Sequence, residues 1–377
     1  MLIKGESRLP NIRGSILLIQ LGDIGDVVLS LPVLVALKRH FAECDIWMCV
    51  REKARGLLEH IPEIEGAISV DAAPRPTMRA LDHHLQWILN LWRRRFALVL
   101  DLRTGSRGTV IACLSGAPFR IGRLDHGRQG MRKWGFTHLV QPDPDREKGQ
   151  YAVKHHLNIL AAVGVPPAEE RPTIRILREK EAEIRAFLTK EGISQERPLV
   201  AVSPFSLWRY KEWKADGWIR LMADLVKNRG VSVVVTGSPE ERERAQTLVG
   251  GMSKGIFNLA GKTRIQMLPA LFKACRLYIG VDSGSLHVAS AVGTPTVALF
   301  GPSSTVTWAP RGIRHLIVSK DMSCIPCRKK GCGDCGISRC LEELTISEVL
   351  KVVNRHFEHE KGIDSVEQDG SDRNRDI

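Results

Sequence analysis

Short apolar runs alternate with amphipathic segments along most of this chain. Ile16–Leu21 is almost continuously apolar, the pattern of a strand buried on both faces of a parallel sheet. Gly22-Asp23-Ile24-Gly25-Asp26 reads as a turn. Val27–Phe41 follows with Val27, Leu31, Leu34, Leu37 and Phe41 at helical spacing, and with Lys38 and Arg39 in the last turn. The alternation predicts further strands at Asp45–Val50, Ala67–Val70 and Ala97–Leu102, and helices at Glu52–His60 and Arg79–Arg95. Gln141–Gln150 reads as a polar loop, and Tyr151–Val163 and Glu181–Lys190 as helices. A second series of strands is predicted at Pro198–Ser203, Val231–Thr236, Leu277–Val281 and Thr296–Phe300. Its helices are predicted at Asp216–Lys227, after Gly237, from Ser283 through Val292, and at Ile346–Phe357. Strands alternating with helices imply right-handed crossovers and a parallel sheet. The expectation is an α/β protein with two Rossmann-like domains, 1–185 and 186–357, followed by a disordered polar tail at 358–377.

Composition narrows the partners. A length of 377 residues exceeds one typical core. A formal net charge of +13 favours an anionic partner. No zinc-finger or RNA-recognition signature and no aromatic-interleaved basic patch is evident, so nucleic acid is not expected. No apolar run is long enough to span a bilayer, and the start of the chain does not read as a signal peptide. The expected location is the cytoplasm, with peripheral contact at the inner membrane. Cys44, Cys49, Cys113 and Cys275 stand in apolar contexts and read as buried thiols in a reducing compartment.

Two stretches carry candidate chemistry. At Leu277–His287 a buried strand runs through Asp282-Ser283-Gly284 into a helix. Free backbone N–H groups and the helix dipole make such a junction a phosphate site, and Asp282 or Ser283 serves equally as an ordinary helix cap. Arg103–Arg132 is rich in Gly and Arg (Arg103, Arg107, Arg120, Arg123, Arg128, Arg132), with only Val110–Leu114 and Phe119–Ile121 looking buried. Arginines after a strand end could hold a carboxylate or phosphate; the alternative is a solvated basic loop. Gly22 and Gly25 do not make the dinucleotide fingerprint.

Three stretches together carry a family resemblance: Ile19–Pro32 (IQLGDIGDVVLSLP), Ser203–Trp213 (SPFSLWRYKEW), and Val281–His287 (VDSGSLH) with Phe300-Gly301-Pro302. In that order and spacing they resemble glycosyltransferase family 9, the ADP-heptose:lipopolysaccharide heptosyltransferases, over roughly Ile16 to Val353. The resemblance implies the GT-B fold, with the acceptor on the N-terminal domain and the nucleotide sugar on the C-terminal one. It implies an inverting transfer of heptose from ADP-heptose to the lipopolysaccharide inner core, with no metal or other cofactor required. Asp26 matches the family's base, with Asp23 as the competing acid, and Gly25 lies beside it at the acceptor side. Arg103, Arg107, Arg120 and Arg123 are the acceptor-binding candidates. Lys211 matches the family's lysine two residues before a tryptophan, where a cation can offset charge on a leaving diphosphate. Ser206, Asp282, Ser283, Gly284 and His287 match donor-site positions. Glu241 matches an acid expected near the ribose or base, and is equally an acid placed by the helix dipole.

One feature falls outside these motifs. Cys324, Cys327, Cys332, Cys335 and Cys340 include two C-x2-C pairs, a metal-ligand pattern. The four residues between the pairs are too few for a common zinc ribbon, so structural zinc and free or redox-active thiols both stay open. Two alternatives to the leading reading remain. One is a related transferase using another nucleotide sugar or acceptor. The other is a non-catalytic nucleotide-binding protein, against which Asp26 and Lys211 count, since binding alone needs no base.

Overall fold

The most apolar runs of the sequence form the centres of two sheets. A computed structural model describes residues 1–70, 78–124, 130–251 and 254–358, with the side chains of 78–84 and 146 excepted. Arg128 and the tail from 359 onward lie outside the described residues. The chain divides into two units. The first comprises Met1–Glu181 with Arg264–Ala270 and Val306–Trp308, and the second the remainder.

The first unit holds seven strands: β1 (Leu2–Lys4), β2 (Ser15–Gln20), β3 (Asp45–Arg51), β4 (Gly66–Val70), β5 (Phe96–Asp101), β6 (Phe119–Arg123) and β7 (His138–Val140). Their order is β1-β7-β6-β5-β2-β3-β4, parallel throughout except for β1 against β7. Ile16 to Ile19 of β2 are fully buried, as strands covered on both faces require. From β2 the chain proceeds outward to β3 and β4, then returns to the other side of β2 as β5. The strand order therefore reverses between β2 and β5. Open α/β sheets bind ligands at such a reversal, beyond the carboxyl ends of the strands.

The helix expected at Val27–Phe41 is two helices, Ile24–Leu29 and Leu31–His40. Pro32 has no N–H to continue the first ladder, and Ser30 Oγ instead bonds back to the Val27 carbonyl at 2.7 Å. The first helix also begins earlier than expected, so Gly25 and Asp26 lie in its first turn. The loop expected at Gln141–Gln150 contains the short helix Pro144–Lys148. Pro144 occupies the first helical position, where a missing N–H costs nothing, and the Asp143 side chain accepts the Asp145 N–H at 3.0 Å. Ser106–Leu114 is helical, and Val110 and Cys113 of the expected buried stretch are exposed. Gly108, Thr109, Ile111 and Ala112 take the inward face instead. Cys44, Cys49 and Cys275 are buried as expected, and burial pushes each thiol upward from its ordinary range.

The second unit holds β8 (Leu199–Ser203), β9 (Ser232–Val235), β10 (Ile256–Asn258), β11 (Leu277–Val281), β12 (Thr296–Phe300) and β13 (His315–Ser319). All are parallel, in the order β10-β9-β8-β11-β12-β13. Here the order reverses between β8 and β11. The helix at 346–358 sets Val349, Val353 and Phe357 into the core that contains Trp213 and Trp218. The indole Nε1 of Trp213 donates to the Leu344 carbonyl at 2.9 Å, which satisfies the polar end of a buried aromatic. Among the described residues no helix is long and apolar enough to cross a membrane.

Candidate active-site residues

In the second unit the reversal point is polar on both sides. Ser203 ends β8 and pairs in register with Gly280 of β11. The loop after β8 carries Ser206 and a short 3-10 turn, Arg209–Lys211. β11 runs into Asp282 and then into the helix Gly284–Ala291, with Ser283 as its extended N-cap residue. Lys211 Nζ lies 2.6 Å from Asp282 Oδ2, and Ser206 Oγ donates to the Asp282 carbonyl at 3.4 Å. Asp282 is 7% exposed and Lys211 21%, so this ion pair is largely withdrawn from water. The Ser283 and Ser285 hydroxyls lie 2.8 Å apart, and Ser285 is 2.8 Å from the Tyr278 hydroxyl. Burial pushes the Tyr278 phenol upward, which keeps it a neutral hydrogen-bond partner. His287 is buried in the same helix. The result is one ammonium, a cluster of hydroxyls and the N-terminus of an eight-residue helix at one strand end. That combination suits an anionic group.

The first unit has a matching arrangement. Asp26 Oδ2 accepts the Asp23 backbone N–H at 3.0 Å and lies 3.1 Å from Arg103 Nη1. Gly22 makes this possible, because a Cβ there would come 2.3 Å from Asp26 Oδ2. Arg103 follows β5, across the reversal point from the turn after β2, where Ile19 and Asp101 are register partners. Its main chain is pinned from both ends. Its N–H donates to Asp101 Oδ1 at 3.1 Å, and its carbonyl accepts Arg132 Nη2 at 2.8 Å. Arg132 Nη1 also bonds Asp101 Oδ2 at 2.9 Å and Thr109 Oγ1 at 3.0 Å. Asp101 is fully buried, and burial pushes its carboxyl up to about 6 against the opposing pull of Arg132 and the Arg103 N–H. Gly108 leaves the room for that carboxylate, since a Cβ there would meet it at 2.3 Å.

Residues 85–335 match the model of glycosyltransferase family 9 (heptosyltransferase). The chain belongs to this family. It is 28% identical over 290 residues to lipopolysaccharide heptosyltransferase 3 of Escherichia coli K12, covering 76% of this chain and 82% of that protein. It is 24% identical over 344 residues to lipopolysaccharide heptosyltransferase 2 of the same organism, covering 88% and 95%. The solved structure of E. coli ADP-heptose lps heptosyltransferase II superimposes with a TM-score of 0.76 at 21% identity, over 92% of this chain and 99% of that one. The protein is thus a glycosyltransferase, and its two Rossmann-like units are those of the GT-B fold.

Several of the expected site residues already have partners within the fold. Arg123 makes a two-point pair with Glu147, Nη1–Oε1 at 2.8 Å and Nη2–Oε2 at 2.6 Å. Arg120 donates to the carbonyls of Gly135 and Ala117. Both guanidinium groups therefore have acceptors within the fold. Arg107 is exposed in the first turn of the helix Ser106–Leu114. Asp23 pairs at the surface with Arg51 and Lys53, at 3.3 and 2.5 Å. Glu241 Oε2 accepts the Ser238 N–H at 2.7 Å and closes a capping box, the helix-terminus role that its position also allowed. Asp101, Glu212 and Tyr278 also belong to these arrangements, though no motif marks them as site residues. Glu212 Oε1 accepts the Ser206 N–H at 3.1 Å and its carboxylate pairs with Arg244, which fixes the loop that bears Lys211. The signal was available for Glu212 in its adjacency to Lys211, and for Asp101 in its place as a charge ending an apolar strand.

The cysteine-rich segment braces that loop and the one after β12. Ser338 Oγ donates to the Tyr210 carbonyl at 2.6 Å, and the Arg328 N–H to the Pro302 carbonyl at 2.8 Å. Cys340 is buried, Cys327 half-buried, and Cys324, Cys332 and Cys335 are exposed. Cys332 Sγ accepts the Arg339 N–H at 3.4 Å, and Cys335 Sγ bonds the Ile337 carbonyl at 3.5 Å. Among the described residues no group of three or more His, Cys, Asp or Glu is arranged to hold a metal ion.

Proposed function

We propose that this enzyme transfers a heptosyl group from ADP-heptose to the inner core of lipopolysaccharide, inverting the anomeric centre without a catalytic metal. The observation that carries the proposal is Lys211, an ammonium held on Asp282 at the end of β11 beside the helix Gly284–Ala291. In the proposed reaction the diphosphate lies on that helix start, with Ser206, Ser283 and the backbone N–H groups as donors. Asp26 removes the proton from an acceptor hydroxyl as that oxygen bonds to the anomeric carbon. The bond from that carbon to the diphosphate breaks on the opposite side, ADP leaves, and Lys211 offsets the charge that builds on it. Arg103 orients the Asp26 carboxylate. The names of the relatives support the donor and acceptor classes. Because that acceptor is carried on a lipid, the reading includes peripheral contact with the inner membrane, on the cytoplasmic side where the nucleotide sugar is expected.

The test is ADP release by purified protein given ADP-heptose and a Kdo-containing lipid A acceptor, with and without EDTA, beside Asp26→Asn. The expected result is acceptor-dependent release that survives EDTA and falls by about 10²–10⁴ in the variant. The product linkage should be opposite in configuration to the donor. Release abolished by EDTA, retained configuration, or release only with another nucleotide sugar would each overturn the corresponding part.

A further inference from the structure

One face of the first unit is both apolar and basic. The crossovers β4 to β5, β5 to β6 and β6 to β7 all run in one direction across the sheet. Right-handed connections therefore lay the helices Met78–Arg93, Ser106–Leu114 and Gly130–Gly135 on the same face. Adjacent pairs of these helices pack together. Their outer positions are occupied by large apolar side chains. Leu85, Leu89 and Trp92 stand at i, i+4 and i+7 of the first helix, 57%, 40% and 56% exposed. Val110 is exposed on the second, and Met131 and Trp134 on the third, with Trp134 at 87%. A hollow of about 440 Å³ opens beside Trp92, between Arg95 and Pro118. Exposed apolar side chains gathered on one face mark an interaction surface rather than scattered surface residues.

The charge on this face identifies the partner. Residues 85–124 and 130–140 contain nine Lys or Arg against a single acid, but Arg103, Arg120, Arg123 and Arg132 are held on Asp26, on backbone carbonyls, on Glu147 and on Asp101 and do not count toward this face. That acid is Asp101, which is fully buried on Arg132 and contributes nothing at the surface. Arg93, Arg95, Arg107 and Lys133 are exposed around the apolar side chains. Tryptophan prefers the boundary between lipid headgroups and acyl chains, and exposed cations are drawn to anionic headgroups. A protein partner would need an acidic counterpart on a rigid apolar interface. A lipid surface supplies both properties at once.

We propose that this face docks the enzyme on an anionic phospholipid surface, with Trp92 and Trp134 at the headgroup boundary. The proposal rests on the reading that the acceptor is membrane-borne, and it names the surface that reaches it. The test is co-sedimentation of the full chain with phosphatidylglycerol-containing vesicles and with phosphatidylcholine vesicles. Two variants accompany it, Leu85→Ser with Trp134→Ser and Arg93→Glu with Lys133→Glu. A soluble, deacylated Kdo acceptor serves as a membrane-independent activity assay. Wild type is expected to sediment with the anionic vesicles only. Each variant should lose about tenfold or more in partitioning while keeping its unfolding midpoint and its rate on the soluble acceptor. Wild type that fails to sediment yet transfers to the soluble acceptor overturns the docking and leaves the transferase reading standing. Sedimentation without transfer to any acceptor does the reverse. Undiminished binding by both variants, or equal binding to neutral vesicles, would overturn the assignment of this face.

Discussion

Replacing Lys211 by Met removes an ammonium and keeps most of the side-chain stem, so it separates two contributions of the same charge. The first is structural. Asp282 is 7% exposed with Lys211 Nζ 2.6 Å away, so the variant leaves a buried carboxylate without its counter-charge. Breaking a buried pair from one side costs roughly 3–5 kcal/mol, and partial access of water through the lysine side places this pair at about 3 kcal/mol. The second is catalytic. Losing one positioned donor from the site where charge develops costs roughly 2.7–4 kcal/mol, or about 10²–10³ in kcat. The double variant Lys211→Met with Asp282→Asn removes both charges. It should recover most of the lost stability and none of the lost rate. Urea unfolding gives the first quantity, and ADP release at saturating donor gives the second. A double variant that regains the rate would show that Lys211 only neutralises Asp282. A single variant within tenfold of wild-type kcat would refute the proposed role directly.

Two further outcomes follow from the first unit. Burial raises the Asp101 carboxyl to about 6 from an unfolded value near 4, so the folded state binds the proton more tightly than the unfolded one. Its contribution to stability is greatest below pH 4, falls by about 3 kcal/mol as pH rises to about 6, and is level above that. Unfolding of wild type minus Asp101→Asn across that range checks it, and a difference that does not vary with pH would contradict it. Arg123→Gln should lower stability by about 2 kcal/mol through the Glu147 pair. Adding Glu147→Gln should cost little more, and acceptor KM should stay within about twofold, because the pair is already satisfied within the fold. A selective rise in acceptor KM would restore Arg123 to the acceptor site.

The sequence made the centres of both sheets legible because parallel strands covered on two faces must be apolar throughout, as Ile16–Leu21 and Leu277–Val281 are. The short strands β1, β7, β10 and β13 were not legible. Three of them span only three residues, and β13 is buried at only two of its five positions, so none has a long buried run to display. Lys211 and Asp282 could each be picked out by motif, but their pairing joins positions far apart in the chain and depends on the placement of β11 beside β8. Gly22 and Gly108 are each explained only by a nearby side chain. A Cβ at Gly22 would strike the Asp26 carboxylate and one at Gly108 the Asp101 carboxylate, and that requirement shows only once the turn and helix geometry is in place.

The excess of basic residues shows where pattern reading needs the fold. As one number, +13 points to an anionic partner. In the structure the cations divide by burial and by partner. Arg132, Arg120 and Arg123 are spent on Asp101, on backbone carbonyls and on Glu147. Arg103 and Lys211 each sit on one carboxylate at a sheet reversal, within reach of solvent at 46% and 21% exposure. Arg93, Arg95, Arg107 and Lys133 face outward among apolar side chains. Removing a cation from the first group should lower stability, from the second the rate, and from the third the affinity for an anionic surface. Because an arginine in each group has the same pattern in sequence, a strand end followed by Gly and Arg cannot by itself identify a binding site. The deciding property is whether the guanidinium already has its acceptors within the fold. Among the described arginines of residues 103–132, Arg103 is the one that both touches a site carboxylate and remains open to water.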